Sequence, residues 1–168
     1  PDALTQAVAE CMYGRTLNKC QTAQGALMRG CSQQFMRVVA TKLREEYYRP
    51  GELLLKEGDV SFQLLFLVAG TVNYLHNNVL IKSLDAASPD VPMVGEVAFF
   101  VGAEQPYKVT VDEQGYAKML KLSQDDYMQL TKLYPEQHEL VLSNILAVYG
   151  VNRIGEVDES SGSGHLRD

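Results

Sequence analysis

The sequence lacks any apolar run long enough to cross a lipid bilayer. Its longest uninterrupted apolar stretch, residues 64–69, is far shorter than the roughly 20 residues that a transmembrane helix needs. No signal-peptide pattern opens the chain. With 46% hydrophobic and 21% charged residues, the composition is typical of one soluble globular domain. Because the first residue is Pro1 rather than Met, we expect a fragment of a larger protein, with any membrane segment lying outside it.

Residues that usually carry chemistry are few and scattered. The three cysteines, Cys11, Cys20 and Cys31, form no C-x-x-C pair, which argues against a zinc or redox site. The three histidines have no metal-ligand spacing, and no nucleophile elbow or catalytic triad is visible. We therefore expect no metal site, no catalytic residue and no enzyme activity.

The chain also lacks an excess of basic residues. Its net charge is −6, whereas a nucleic-acid-binding domain needs a basic face to contact phosphates. We therefore expect no nucleic-acid partner.

The first 44 residues have helical periodicity. Leu4, Val8 and Met12 recur at helical spacing. Ser32 is a suitable N-cap for a second helix, predicted over residues 33–44, which carries an apolar face.

From Tyr47 the apolar period changes from that of a helix to two, which predicts strands. Gly70 separates two of these strands, and Asn77-Asn78 predicts a tight hairpin between the next two. The segment 86–92 is predicted to be a loop, and residues 106–111 and 116–122 to be the last strands.

Helical signals return after the strands. Ser123 is predicted to open one helix, and Pro135 suits the first turn of another. The last helix is predicted to present one apolar stripe, formed by Leu142, Ile145, Leu146 and Tyr149.

These elements predict an α+β fold: N-terminal helices, an eight-stranded β-roll or jelly roll with a short helix inserted, and two C-terminal helices. The predicted boundaries are an N-terminal helical segment over 1–30, the roll and its helices over 31–150, and a flexible Ser/Gly-rich tail over 151–168.

The order and spacing of several short motifs resemble the cyclic nucleotide-binding domain family over residues 31–150. "YYRPGELLLKEGD" and "LLFLVAGTVNYL" are similar to the family's early strands, and "LKLSQDDYMQLTKLYPE" to its last strand and following helix. "VGEVAFF" is similar to the start of the family's phosphate-binding cassette, F-G-E-[IL]-A-L-L, with Val94 in place of Phe. "LMRGCSQQFMRVVATKLREEYYRPGE" and "EQPYKVTV" are similar to segments of plant-type voltage-gated potassium channels. By position, the helices before residue 28 resemble the end of a channel's linker region.

The resemblance implies a ligand site in the cassette, formed by Gly95, Glu96, Val97, Ala98, Gln105, Pro106 and Tyr107. In the family, the Glu accepts from the ribose hydroxyl and an Arg pairs with the phosphate. A gap-free register puts Gln105 at that Arg, and a neutral amide contributes about 1 kcal/mol where a charged group contributes about 1.5–3 kcal/mol. Pro106 removes an N–H, and Tyr107 puts a ring where the family has a small residue.

Two alternatives remain for this site. Glu96 either binds a ligand or caps backbone N–H groups of its own turn, and Lys108, the only cation near the cassette in the sequence, is expected to point away from it because it alternates with Tyr107 and Val109. Tyr149, or the following Val151-Asn152, is a candidate plug at the cavity mouth, and the last helix is expected to dock on the roll without a ligand.

The resemblance implies a non-catalytic regulatory domain on the cytoplasmic side of a voltage-gated, potassium-selective channel, with a degenerate pocket and no cofactor. Its expected partners are the rest of the channel subunit and neighbouring subunits of a homotetramer, so that it meets a membrane only through the parent protein. The alternative is a working cAMP or cGMP sensor domain, in a channel or in a kinase regulatory subunit.

Overall fold

The computed structural model describes residues 2–60 and 63–150. Two helices, α1 (Ala3–Thr22) and α2 (Gln33–Lys42), precede the strands. The side chain of Asp2 accepts from the N–H of Thr5 at the start of α1, and Ser32 caps α2 as predicted, its side chain accepting from the N–H of Phe35. No helix within the described ranges is both long enough and apolar enough to span a membrane.

Two predictions about these helices need correction. Helix α2 ends at Lys42 rather than at residue 44, because Leu43 is extended and Arg44 begins the first strand. The spacing of Leu4, Val8 and Met12 does indicate a helix, but all three side chains are at least half exposed. The buried face of α1 is formed instead by Ala9, Leu17 and Cys20.

Eight strands form two antiparallel sheets, which confirms the predicted α+β roll. The strands are β1 (Arg44–Tyr48), β2 (Leu53–Leu55), β3 (Gln63–Ala69), β4 (Thr71–His76), β5 (Val79–Asp85), β6 (Met93–Val94), β7 (Lys108–Val111) and β8 (Ala117–Ser123). One sheet has the order β1-β8-β3-β6, and the other has the order β2-β7-β4-β5. The short strand β6 was not predicted, since its two residues are defined by pairing with Leu65 and Phe66 rather than by a pattern of their own.

Strand β3 of the first sheet is covered on both faces, which explains its continuous apolar run. Leu65 and Leu67 face the second sheet in the roll interior, while Leu64 and Phe66 face the helices in a second apolar core. Strands covered on both faces lose the alternation of apolar and polar residues.

Two turns between strands use residues that tolerate a positive φ. Asn77 and Asn78 both have positive φ, 50° and 62°, which confirms the predicted hairpin. Gly70 has φ 92°, and a Cβ there would lie 2.5 Å from the backbone oxygen of Tyr116, so only glycine fits between β3 and β4.

Three more helices complete the described chain. They are α3 (Glu96–Val101), α4 (Gln124–Leu133) and α5 (Pro135–Ile145), and a π-helical turn, Leu146–Gly150, continues α5. Ser123 caps α4 and Pro135 lies in the first turn of α5, as predicted. Helix α5 docks through Val141 and Ile145, which are buried, whereas Leu146 is 70% exposed and does not belong to the predicted stripe.

The N-terminal segment shares one core with the roll and the C-terminal helices. Leu17, Cys20 and Leu27 belong to the same apolar cluster as Phe66 of β3 and Ile145 of α5. Lys19 of α1 also donates from Nζ to the carbonyl oxygens of residues 86 and 88, in the loop between β5 and β6.

Candidate functional site

The predicted cassette begins at a glycine that no other residue could replace without strain. Gly95 follows β6 with φ 85°, and Gly102 closes α3 with φ 72°. A Cβ on Gly95 would lie 3.3 Å from Cδ1 of Leu55 and 3.5 Å from Nε2 of Gln105. Gly95 therefore lets the start of α3 approach both β2 and the turn that follows the helix.

Glu96 is paired with a side chain from the C-terminal end of the described chain. The hydroxyl of Tyr149 donates to Oε1 of Glu96 at 2.7 Å. The bond described for the Glu96 carboxylate is thus to Tyr149 and not to a backbone N–H of its own turn, which does not support the interpretation in which Glu96 caps that turn. Burial, and then the charge of Glu96, raise the pKa of Tyr149, so the hydroxyl stays protonated as a donor at neutral pH.

The next two cassette residues differ in burial. Ala98 is buried and Val97 is half-buried. Phe99 and Phe100 stack edge-on against each other, and both rings also contact Tyr127 of α4. The body of α3 is thus attached to the C-terminal helices through aromatic contacts.

Gln105 is buried with one side of its amide unpaired. The residue is 6% exposed, and its Nε2 has no hydrogen-bond partner. Its backbone is well held, because its N–H donates to the carbonyl of Asp59 at 2.7 Å and its carbonyl accepts from the N–H of Gly58 at 2.8 Å. The neighbouring Pro106 is exposed and lies outside this contact.

Tyr107 fills part of the roll interior. Its ring meets Tyr74 with centroids 6.2 Å apart and His76 with centroids 6.3 Å apart, both edge-on. Lys108 alternates with the buried Val109 and borders a surface cavity beside the Asn77-Asn78 hairpin. The expectation that Lys108 points away from the cassette interior is therefore confirmed.

The two polar ends of the cassette border different cavities. Glu96 and Tyr149 line a cavity of about 360 Å³, together with residues of β4, β5 and the N-terminal segment. Gln105 lines a separate cavity of about 360 Å³ beside β2. The structure therefore brings Gly95 close to both Glu96 and Gln105, but it does not join the last two around one space.

Lys82 is a cation that the sequence analysis missed. It lines the cavity of Glu96, with Nζ 4.6 Å from the centre of the Tyr74 ring, so Lys108 is not the only cation near the cassette. Lys82 pairs with Tyr74 across the sheet, and a bulge separates this pair from Leu75 and Leu80. The signal available in the sequence was its spacing of two from the buried Leu84.

Tyr149 matches the predicted plug in position, since it borders the same cavity as Glu96. Val151-Asn152, the other candidate, lies outside the described residues. Glu96 and the turn 146–150, which carries Tyr149, are far apart in sequence, and only the fold brings them together.

Comparison with known proteins finds no matching family model, but it does find potassium channels. The chain is 26% identical over 148 residues to potassium channel SKOR of Arabidopsis thaliana, covering 87% of this chain and 17% of the relative. It is 28% identical over 137 residues to potassium channel KOR2 of Oryza sativa subsp. japonica, covering 79% of this chain and 18% of the relative. It is also 23% identical over 172 residues to the voltage-gated inwardly rectifying potassium channel KCNH7 of Mus musculus, covering 99% of this chain and 14% of the relative.

The chain therefore spans less than a fifth of the length of these relatives. The matched part includes the roll and, in the mouse relative, nearly the whole chain. Together with the observed fold, these similarities confirm the resemblance predicted from the motifs: over most of its length the chain is similar to voltage-gated and other potassium channels.

Proposed function

We propose that this chain is a non-catalytic regulatory domain of a voltage-gated potassium channel, on the cytoplasmic side of the membrane, with its nucleotide pocket held by its own side chains. Its partners are the rest of the channel subunit and neighbouring subunits of a homotetramer. The potassium channels among its relatives support this assignment. The domain biases gating only if its contacts differ between the open and closed channel.

The contact between Tyr149 and Glu96 carries the proposal. In the family the resemblance points to, this Glu accepts from a ribose hydroxyl, and here the Tyr149 hydroxyl donates to the same carboxylate at 2.7 Å. A nucleotide would have to break that bond, and a hydrogen bond to a charged group contributes about 1.5–3 kcal/mol. The chain thus competes with any ribose for its own acceptor.

The far end of the cassette weakens phosphate binding further. Gln105 offers a neutral amide where the family resemblance puts a guanidinium, and Tyr107 packs on Tyr74 inside the roll. A phosphate buried without a counter-charge has its desolvation uncompensated. Losing one charged partner corresponds to about one to two decades in affinity.

Calorimetric titration with cAMP and cGMP tests the proposal. We expect no heat of binding from the wild-type chain, and micromolar affinity would contradict the proposal. Gln105→Arg restores the missing charge and is expected to create or strengthen binding, with a further gain when Tyr149→Phe frees Glu96. If both variants fail to bind at millimolar nucleotide, Tyr107 is the remaining block, and Tyr107→Ala is the variant to add.

A second candidate function, a working cyclic nucleotide sensor, is favoured by one observation. Lys82 lines the same cavity as Glu96 and could supply a positive charge to a phosphate there. In that case the wild-type chain would bind nucleotide and Lys82→Met would abolish binding. Lys108→Met is the matched control, because Lys108 borders a different cavity.

A further inference from the structure

Helix α5 contacts the N-terminal segment, and the π-helical turn that continues it contacts the cassette. Nδ2 of Asn144 donates to the carbonyl oxygens of Leu27 and Arg29, each at 2.9 Å. Two turns earlier on the helix, Oε1 of Gln137 accepts from the N–H of Ser32 at 2.7 Å. All three bonds link residues more than 100 positions apart in sequence, so they attach the turn 27–32 to α5 directly.

The turn 27–32 is shaped to lie against this helix. Gly30 has φ 81°, and a Cβ on it would lie 3.4 Å from Cδ2 of Leu140. Leu27 and Met28 are buried in the core that also contains Ile145. The turn is therefore held both by the packing of Leu27 and Met28 in the core and by hydrogen bonds to Gln137 and Asn144 of α5.

The other end of α5 leads to Glu96. After Ile145 the helix widens into the π-helical turn 146–150, in which the N–H of Leu146 contacts the carbonyls of both Leu142 and Ser143. Tyr149 lies in this turn and donates to Glu96. Such wide turns occur frequently at functional sites.

The same parts also border one cavity. Leu27 from the N-terminal segment and Tyr149 from the π-helical turn both line the cavity of Glu96. A displacement of the turn 27–32 along α5 would therefore change the walls of this cavity as well as the bonds of Asn144.

We infer that Asn144 is a positioning residue that couples the N-terminal segment to the contact between Tyr149 and Glu96, with α5 acting as the rigid link. This inference rests on the proposed function, in which Tyr149 holds the cassette closed. Coupling between two sites is reciprocal, so releasing the turn 27–32 loosens Tyr149, and releasing Tyr149 loosens the turn. In the parent protein, a movement of the preceding segment would thereby reach the cassette without any ligand.

Hydrogen exchange measured by mass spectrometry on the whole chain tests this inference. Asn144→Ala removes both bonds to the turn, and we expect exchange to become about tenfold faster in residues 26–32 and also in residues 146–150 and 95–98. Ser143→Ala is the matched control, because Ser143 is the exposed neighbour on the same helix, and it should leave all three regions unchanged.

The reciprocal variant is Tyr149→Phe, which keeps Asn144 intact and so keeps the inference testable if Asn144→Ala does not fold. It should accelerate exchange in residues 26–32 by severalfold. The inference is overturned if Asn144→Ala affects only residues 26–32, or if Tyr149→Phe affects only residues 95–98 and 146–150. Nucleotide binding by the wild-type chain would contradict the proposed function, but it would leave this exchange result valid as a measure of coupling.

Discussion

The two ends of the cassette differ in whether their polar side chain has a partner within the chain. At one end the Glu96 carboxylate is half-buried and accepts from Tyr149. At the other end Gln105 is buried with Nε2 unpaired. An unpaired buried donor costs free energy, whereas a carboxylate with its own donor does not. The difference shows that the chain supplies its own donor at the Glu96 end and no partner for Nε2 at the Gln105 end; under the proposed function, only the ribose contact is replaced by a contact within the chain.

The largest effect on this comparison should come from undocking α5, which carries Tyr149 towards Glu96. Ile145→Ala removes a side chain that is 3% exposed, and we expect the free energy of unfolding to fall by about 2–5 kcal/mol. Leu146→Ala, at a side chain that is 70% exposed, should change it by less than about 0.5 kcal/mol.

Urea denaturation measures both values. Equal effects of the two variants on the free energy of unfolding would contradict docking through Ile145. In a second measurement, hydrogen exchange throughout α5 as fast as in an unprotected peptide would mean that the helix is a free lid. This expectation rests on Val141 and Ile145, which are the two buried side chains of α5.

Removing the polar group at the Gln105 end should instead raise the free energy of unfolding, because a buried donor without a partner destabilises the folded chain. Gln105→Met keeps the length of the side chain but lacks the unpaired donor, so we expect the free energy of unfolding to rise by about 1–2 kcal/mol. Gln129→Met, on an exposed position of α4, is the control and should be neutral. A clear loss of stability in Gln105→Met would mean that the amide has a stabilising role.

Removing the bond at the Glu96 end should lower the free energy of unfolding by a smaller amount. Tyr149→Phe removes the hydroxyl but keeps the ring, so we expect the free energy of unfolding to fall by about 1 kcal/mol, less than for a fully buried bond because water can reach the half-buried carboxylate. Glu96→Gln should lose a similar amount, and the double variant should lose less than the sum of the two, since both remove one bond. Strictly additive losses would contradict a direct contact.

Local signals in the sequence were sufficient for most of the fold. The caps at Ser32 and Ser123, the Asn77-Asn78 hairpin and Pro135 each act on their own neighbours, and all lie where they were predicted. Strand β6 was missed because only its pairing with β3 defines it.

Two errors at the candidate site, those at Leu146 and Lys82, have a common physical cause, since each depends on a change in local geometry. Leu146 was assigned to an apolar stripe by continuing the period of an α-helix, but the chain widens into a π-helical turn after Ile145. Lys82 was overlooked because a bulge in β5 shifts the alternation between it and Leu80. The bond from Tyr149 to Glu96 joins residues 53 positions apart, and no local pattern encodes it.

The smallest expected effect is a pH dependence at the Glu96 end. Burial first, and the Glu96 charge second, raise the pKa of Tyr149, whereas a tyrosine in an unfolded chain titrates near pH 10, roughly its ordinary value. As the pH rises, the unfolded chain therefore releases this proton before the folded chain does. The stability that depends on the protonated hydroxyl is fully present below about pH 10 and is lost above it.

Denaturation midpoints between about pH 8 and pH 11 measure this loss. Burial also raises the pKa of Tyr74, so Tyr74 contributes to the decrease of stability with rising pH in the wild type. Tyr149→Phe should therefore make this decrease shallower without removing it. Tyr116→Phe, at a side chain that is 69% exposed, is the control and should keep the wild-type slope. Parallel curves for the wild type and Tyr149→Phe would mean that the Tyr149 hydroxyl titrates alike in the folded and unfolded chain, and the contact with Glu96 would then have no energetic weight in the comparison between the two ends of the cassette.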